Sequence, residues 1–344
     1  MKIALFVPAP FETVSGGYLY DRRLVEGLRA LGHDVRVVEL AGRFPMPDAA
    51  TEAAARAAFQ GLDGEEVALI DGLALPAFAG LEQELADRHA VGLIHHPTSI
   101  EPGPDQEALA ARERALFAAC GRLVVTSGYT ARGLPQLGAD PTRIGIVEPG
   151  TDPAPRATGS GGPGTRILSV GSLIPRKGHD VLLRALGRLT DLDWSLRIAG
   201  PPADPVHAES LVALAEELGL GKRVTFLGAV DAEALAAEYA AADLFALATH
   251  FEGFGMAAAE AQARGLPLAL CTGGAIADLV GPGAAILAIP GDANSLSRGM
   301  RRPLYDAQLR AQMAEASWTA GQALPRWEDR ASRFVAQLEA AGHG

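Results

Sequence analysis

The chain has 344 residues, 48 % of them apolar, which is long for one hydrophobic core and comfortable for two domains. Its net charge of −11 disfavours a general nucleic-acid binder, which would carry a basic balance. Its two cysteines, Cys120 and Cys271, form no pattern, so a reducing, cytoplasmic compartment is expected and a disulfide framework is not.

The apolar N-terminal run Met1 to Pro8 is too short for a signal peptide and reads as a first strand over residues 3–7. Ser15-Gly16-Gly17 follows, and apolar periodicity predicts a helix over 18–31 that stops at Gly32. Short β-branched or apolar runs at 35–40, 67–70, 91–95, 123–126 and 144–147 predict further strands. Helical patterns fill 81–88, 107–119 and 130–137. Strands alternating with helices argue for a parallel sheet wrapped by helices.

Residues 149–164 break that alternation with a density of Pro and Gly that no regular element tolerates, which makes them the best linker candidate. A second alternating series then begins, with strands expected at 166–170, 195–199, 224–227, 244–248, 267–270 and 285–288. Residues 265–290 hold one charge, Asp278, but Gly and Pro divide them, so a membrane span is not expected. Residues 325–341 read as an amphipathic helix anchored by Trp327, Phe334, Val335 and Leu338. The expected division is 1–150, 151–325 and a terminal helix in 326–344. In doubly wound sheets, ligands bind beyond the carboxyl ends of strands, and the glycine loops fall there in both halves.

Two features carry chemistry. Arg176 and Lys177 stand as adjacent cations between Gly171-Ser172 and Gly178, just past a predicted strand end. Arg binds phosphate bidentately and Lys acts as a mobile point charge, so the pair suits a leaving phosphate. Downstream, Glu252 and Glu260 bracket Gly253-Phe254-Gly255-Met256, a loop that opens an alanine-rich helix. Such a loop offers backbone N–H groups to oxygens, and the two carboxylates accept from hydroxyls. Asp191-Leu192-Asp193 is the one D-x-D triplet, but it precedes a strand and reads as a turn. No His/Cys cluster has metal-ligand spacing, so no metal and no cofactor are expected. Arg298, Arg301 and Arg302 read as a solvated helix end.

The segment from His250 to Pro267 resembles the signature of the family-4 retaining glycosyltransferases, which have the GT-B fold. Ser169 to Leu173 with Pro175 to Gly178 is similar to that family's donor-diphosphate motif, Ser15 to Gly17 to its first glycine loop, and Val147 to Asp152 to its interdomain hinge. The resemblance implies two Rossmann-like domains facing a central cleft, with the last helix crossing back to the first domain. It implies that Glu260 holds the donor ribose, that Glu252 faces the donor sugar and phosphates, and that the backbone of Gly253, Phe254, Gly255 and Met256 contacts them. Gly16 and Gly17 would let backbone approach the diphosphate. The family often has a His at the strand end where His95-His96-Pro97 stands here; His96 aligns better, and the choice stays open. The implied partners are a nucleotide-sugar donor and a saccharide, lipid or small-molecule acceptor, with room for peripheral membrane contact.

No first-domain carboxylate stands out as a nucleophile, Glu101 being a weak candidate, so front-face attack with retention and no metal is preferred over a double displacement. The chain departs from the family where Thr249-His250 replaces Pro-Ser and where Gly273-Gly274 leads to Ala277-Asp278 rather than a Glu. Competing readings are an epimerase or phosphorylase on the same fold and a non-catalytic sugar- or nucleotide-binding protein. A nicotinamide-dependent dehydrogenase is weakened because no G-x-G-x-x-G follows the first strand.

Overall fold

A computed structural model of the chain describes residues 1–101 and 103–342. The chain divides into two compact units, one from Met1–Gly150 together with the segment from Arg326 onward, the other from Thr151–Pro325.

The first unit runs β1 (Lys2–Pro8), α1 (Gly16–Ala30), β2 (Asp34–Leu40), α2 (Ala49–Gln60), β3 (Glu66–Asp71), α3 (Glu82–Asp87), β4 (Val91–Ile94), α4 (Gln106–Ala119), β5 (Arg122–Val125), α5 (Gly128–Gly133) and β6 (Ile144–Ile146). Its six strands are all parallel, in the order β2-β1-β3-β4-β5-β6. Six of the seven β1 residues are buried, as expected of a sheet covered on both faces. Helices start where a short polar side chain can take up a free N–H: Ser15 caps α1 through Tyr18 N, and Asp48 caps α2 through Thr51 N. Phe6, Phe59 and Phe78 meet edge-on or tilted within the core.

Helix α2 and the segment 130–137 differ from the sequence expectations, as does the helix expected over 325–341, which starts only at Arg330. Helix α2 has no counterpart among them because alanines build most of its length, leaving Ala55 and Phe59 as its fully buried apolar anchors. The single helix expected over 130–137 ends at Gly133 and continues as a 3-10 turn, Leu134–Leu137. Pro135 lacks the N–H that an α-helix would need there.

The second unit runs β7 (Thr165–Val170), α6 (His179–Leu186), β8 (Trp194–Ala199), α7 (Pro205–Glu217), β9 (Val224–Gly228), α8 (Ala232–Ala240), β10 (Leu244–Leu247), α9 (Met256–Ala263), β11 (Leu268–Cys271), α10 (Ile276–Leu279), β12 (Ala285–Ala288), α11 (Ala293–Tyr305) and α12 (Ala307–Gln322). Its parallel sheet has the order β12-β11-β10-β7-β8-β9, so the strand order reverses between β7 and β10. That is the doubly wound arrangement in which ligands sit at the switch point. Two apolar cores, one on each side of this sheet, bury Leu182, Leu196 and Leu296 and, separately, Tyr239, Phe245 and Leu266.

Residues 151–160 are not a free linker. Ala157 N donates to Arg264 O (2.9 Å), Thr158 N and Gly159 N to Ala240 O (2.9 and 3.0 Å), and Ser160 N to the Asp243 carboxylate (3.0 Å). Proline and glycine there serve an extended strap bonded to the second unit rather than a flexible tether. After a 3-10 turn at Trp327–Asp329, α13 (Arg330–Ala341) belongs to the first unit. Gly27 of α1 faces Ala331 so closely that a Cβ would come within 2.8 Å of the alanine's own. Arg122 Nε donates to Gln337 Oε1 at 2.7 Å, and Phe334 is fully buried. Among the described residues no helix is long and apolar enough to cross a membrane.

Candidate functional site

At the switch point of the second unit, a 3-10 turn at Pro175–Lys177 follows β7, and the loop of residues 249–255 follows β10. Backbone bonds join the two. Arg176 O accepts from His250 N at 2.9 Å, and the buried Thr249 hydroxyl lies 3.1 Å from Arg176 O and 2.9 Å from Phe251 O. Arg176 Nη1 donates to Phe251 O at 2.8 Å and stands 3.8 Å from Glu252 Oε2, while Lys177 Nζ bonds Glu252 Oε1 at 2.6 Å. Gly171 provides the room: a Cβ there would come within 3.2 Å of the Lys177 Cδ.

Glu252 is only 7 % exposed. Burial pushes its pKa up, but the charges of Lys177 and Arg176 and the lysine hydrogen bond outweigh burial and hold it below the ordinary carboxylate value. The ionised trio therefore carries one net positive charge. The loop after β11 fixes Glu252 from the other side: Glu252 N donates to Gly273 O, and Ala275 N donates to Glu252 O. Gly274 pairs with Glu252 in an isolated parallel bridge.

Gly255 starts α9 in the left-handed conformation (φ +100°), with no side-chain cap on the first turn. Its missing Cβ would come 2.7 Å from Ile276 Cδ1. Gly253 and Phe254 are buried, and Met256 is half-buried. One turn on, Glu260 Oε2 accepts from Tyr239 OH at 3.1 Å. The two glutamates thus have different partners and different settings. Burial and the Glu260 charge push the Tyr239 hydroxyl well above its usual value, so it donates as a neutral phenol.

At the switch point of the first unit, Gly16 and Gly17 form the opening turn of α1, and the His95 ring packs on Gly17, with Cδ2 3.2 Å from where a Cβ would stand. His95 Nε2 lies 3.0 Å from Asp21 Oδ1 and 3.4 Å from Asp71 Oδ2. His96, favoured from the sequence, instead directs Nε2 to Glu101 Oε1 at 2.7 Å. Strand β4 ends at Ile94, so the first histidine already lies beyond the sheet. Buried Glu113 accepts from the backbone and hydroxyls of Thr98 and Ser99, which fixes the turn after Pro97.

Asp21, Asp71 and His95 escape sequence reasoning as a cluster because they are far apart in the chain. Available signals were Asp71 at a strand end and Asp21 four residues after Gly17, one helical turn away. Their ligand atoms lie within 4.8 Å of one another, a spacing that could also hold a metal ion. The D-x-D triplet does not resemble such a site: Asp191 pairs with Arg301 at 2.8 and 3.1 Å, just before β8, at the opposite sheet end.

The sequence model for the family described as Glycosyl transferases group 1 matches residues 152–318. The D-inositol 3-phosphate glycosyltransferase of Mycobacterium sp. (strain KMS) is 37 % identical over 205 residues, covering 53 % of this chain and 46 % of that protein. The protein of the same name from Nocardia farcinica is 36 % identical over 232 residues, covering 60 % and 51 %. The chain thus spans about half the length of the curated relatives it matches. Among solved structures, sucrose-phosphate synthase from Thermosynechococcus elongatus superposes with a TM-score of 0.84 at 22 % identity, covering 99 % of both chains. Anabaena Alr3699/HepE in complex with UDP and glucose gives 0.79 at 18 % identity, covering 99 % of this chain and 100 % of that one. The fold is that of the GT-B glycosyltransferases, and residues 152–318 are similar to the group 1 glycosyl transferases.

Proposed function

We propose that the chain transfers a glycosyl group from a nucleoside-diphosphate sugar to an acceptor hydroxyl, with retention of anomeric configuration and without a metal. The observation that carries this reading is the Lys177–Glu252–Arg176 trio, built on the buried Glu252 carboxylate, at the switch point of the matched family segment. Breaking the sugar–phosphate bond develops negative charge on the diphosphate. Two cations already positioned by Glu252 and by Phe251 O stabilise that charge without reorganising. Glu260, oriented by Tyr239, suits the hydroxyls of a ribose. The departing phosphate would take the proton of the incoming hydroxyl, and the chain's own groups would contribute position and field. A uridine nucleotide is the first donor to try, since the Anabaena structure is described with UDP and glucose.

The test is incubation with a panel of nucleotide sugars and saccharide, lipid and small-molecule acceptors, with the anomeric configuration of the product read by NMR. Retained configuration, with turnover unchanged in EDTA, is expected. Inverted product, or loss of turnover in EDTA with recovery on Mg²⁺ or Mn²⁺, would overturn the corresponding part. Epimerised donor without net transfer would favour the epimerase reading.

A further inference from the structure

The His95 cluster poses a problem of proton and charge. Asp21 is 1 % exposed and Asp71 4 %. Burying two carboxylates is costly unless each is paired or hydrogen-bonded. Asp71 Oδ1 accepts from Leu73 N at 2.8 Å, but a single nitrogen, His95 Nε2, faces a carboxylate oxygen of each aspartate. Among the described residues no Lys or Arg ion-pairs with either one. The other titratable groups nearby are on α1, Tyr18 and Tyr20, and both phenols are held neutral, by burial first and by the aspartate charges next. Arg330 of α13, which acts on Tyr20, has its guanidinium bonded to Asp329. Asp21 and Asp71 also share a side-chain hydrogen bond, so among the described residues the imidazole is the one basic group placed to balance the charge that remains, and it does so only when both ring nitrogens carry protons.

We propose that Asp21 and Asp71 are positioning residues that hold His95 as an imidazolium on the Gly17 turn, so that the ring serves as a fixed hydrogen-bond donor and not as a base. Nε2–H is shared between the carboxylates, and Nδ1–H, engaged by neither, is left to donate to a ligand oxygen. Charge and geometry agree with the electrostatics. Burial would depress the His95 pKa, but the charge and hydrogen bond of Asp21, with those of Asp71, push it up to about 10. Burial raises Asp21 to about 6 against the opposing pull of His95, and the charge of Asp71 and a hydrogen bond with its carboxyl add to the rise. The consequence for transfer rests on the proposed function: a charged His95 cannot accept the acceptor proton, which leaves that task to the leaving phosphate.

The decisive measurement is nitrogen NMR of the histidine rings in the full-length protein, with His95 assigned by loss of its signals in His95→Gln. Both ring nitrogens should show imidazolium shifts unchanged from pH 6 to pH 8.5. In Asp21→Asn, and more so in Asp21→Asn/Asp71→Asn, the ring should titrate within or below that window. The milder Asp71→Asn variant serves if the double variant fails to fold. A neutral wild-type ring at pH 7.5 would overturn the proposal, as would a stoichiometric metal that survives dialysis against EDTA and occupies Nε2. This readout needs no turnover, so it decides the matter even if no nucleotide sugar is a substrate. Where transfer is detected, wild-type kcat should be flat with pH while Asp21→Asn recovers activity as pH falls towards 5.5. Parallel pH profiles for the two proteins would mean that the aspartates act only in folding.

Discussion

At the scale of single residues, the cationic turn and the buried histidine behind it make separate predictions. If Arg176 and Lys177 stabilise the leaving diphosphate, replacing either by Ala should lower kcat about 100- to 1,000-fold, as expected for loss of a preorganised electrostatic group. Saturating-donor kinetics within threefold of wild type for both variants would remove that role. His179, next along the chain, is 1 % exposed, with both ring nitrogens lacking a hydrogen-bond partner. Burial first, and then the Lys177 charge, lower its pKa to about 3. The unfolded chain protonates this ring near pH 6.5 while the folded chain does not. Stability should therefore fall as pH drops from about 6.5 towards 3, by up to about 1.4 kcal/mol per pH unit from this group. His179→Leu removes the unpartnered nitrogens and that slope, so its melting temperature should gain on wild type more at pH 5 than at pH 8. An equal loss at both pH values would show that the ring's shape, not its titration, governs the site.

At the scale of elements, the site depends on backbone approaches that only glycine permits. Gly274 has φ +71°, and a Cβ there would come 2.1 Å from Glu252 O. The left-handed backbone alone costs a non-glycine residue about 1–2 kcal/mol, and the clash adds to that by pushing the Glu252 loop outward. Gly274→Ala should thus lower the urea midpoint and impair donor binding together. Loss of stability with unchanged nucleotide affinity would indicate that the loop relaxes without moving Glu252. Gly178, with φ +64° and Ala248 O at 2.1 Å from its missing Cβ, makes the same demand beside Lys177. The glycine loops were legible in the chain because turn chemistry is local. Helix α2 was not, because alanines make up most of its length and only Thr51, Ala55 and Phe59 are buried, which gives a weak apolar stripe.

At the scale of the whole molecule, the second unit is one continuous stretch, whereas the first needs its C-terminal segment. Phe334 and Leu338 of α13 are buried there, and Tyr20 meets Trp327 with ring centroids 5.7 Å apart. A chain ending at Pro325 would leave the α1 and β5 surfaces uncovered. We expect its thermal unfolding to split, with the first unit melting well below its full-length temperature and the second nearly unchanged. A single unshifted transition would show that α13 adds little to the first unit. The same experiment on the full chain with UDP-glucose tests donor binding, since a ligand at 100 times its Kd adds about 2.7 kcal/mol to the unit that binds it.

The sequence by itself determined two alternating series of strands and helices and the glycine turns after their strands, and it named Arg176, Lys177, Glu252 and Glu260 as candidates. Each of these follows from local periodicity, turn chemistry or short spacing, which a chain displays before it folds. Tertiary structure alone decided which groups share charge. It placed Lys177 on Glu252 across 75 positions of sequence and His95 on Asp21 across 74, put His95 rather than His96 on Gly17, and bonded residues 151–160 to the second unit. Parallel sheets create that difference: strands distant in sequence become neighbours, their carboxyl ends gather at a switch point, and the polar groups carried there acquire partners that no local pattern specifies.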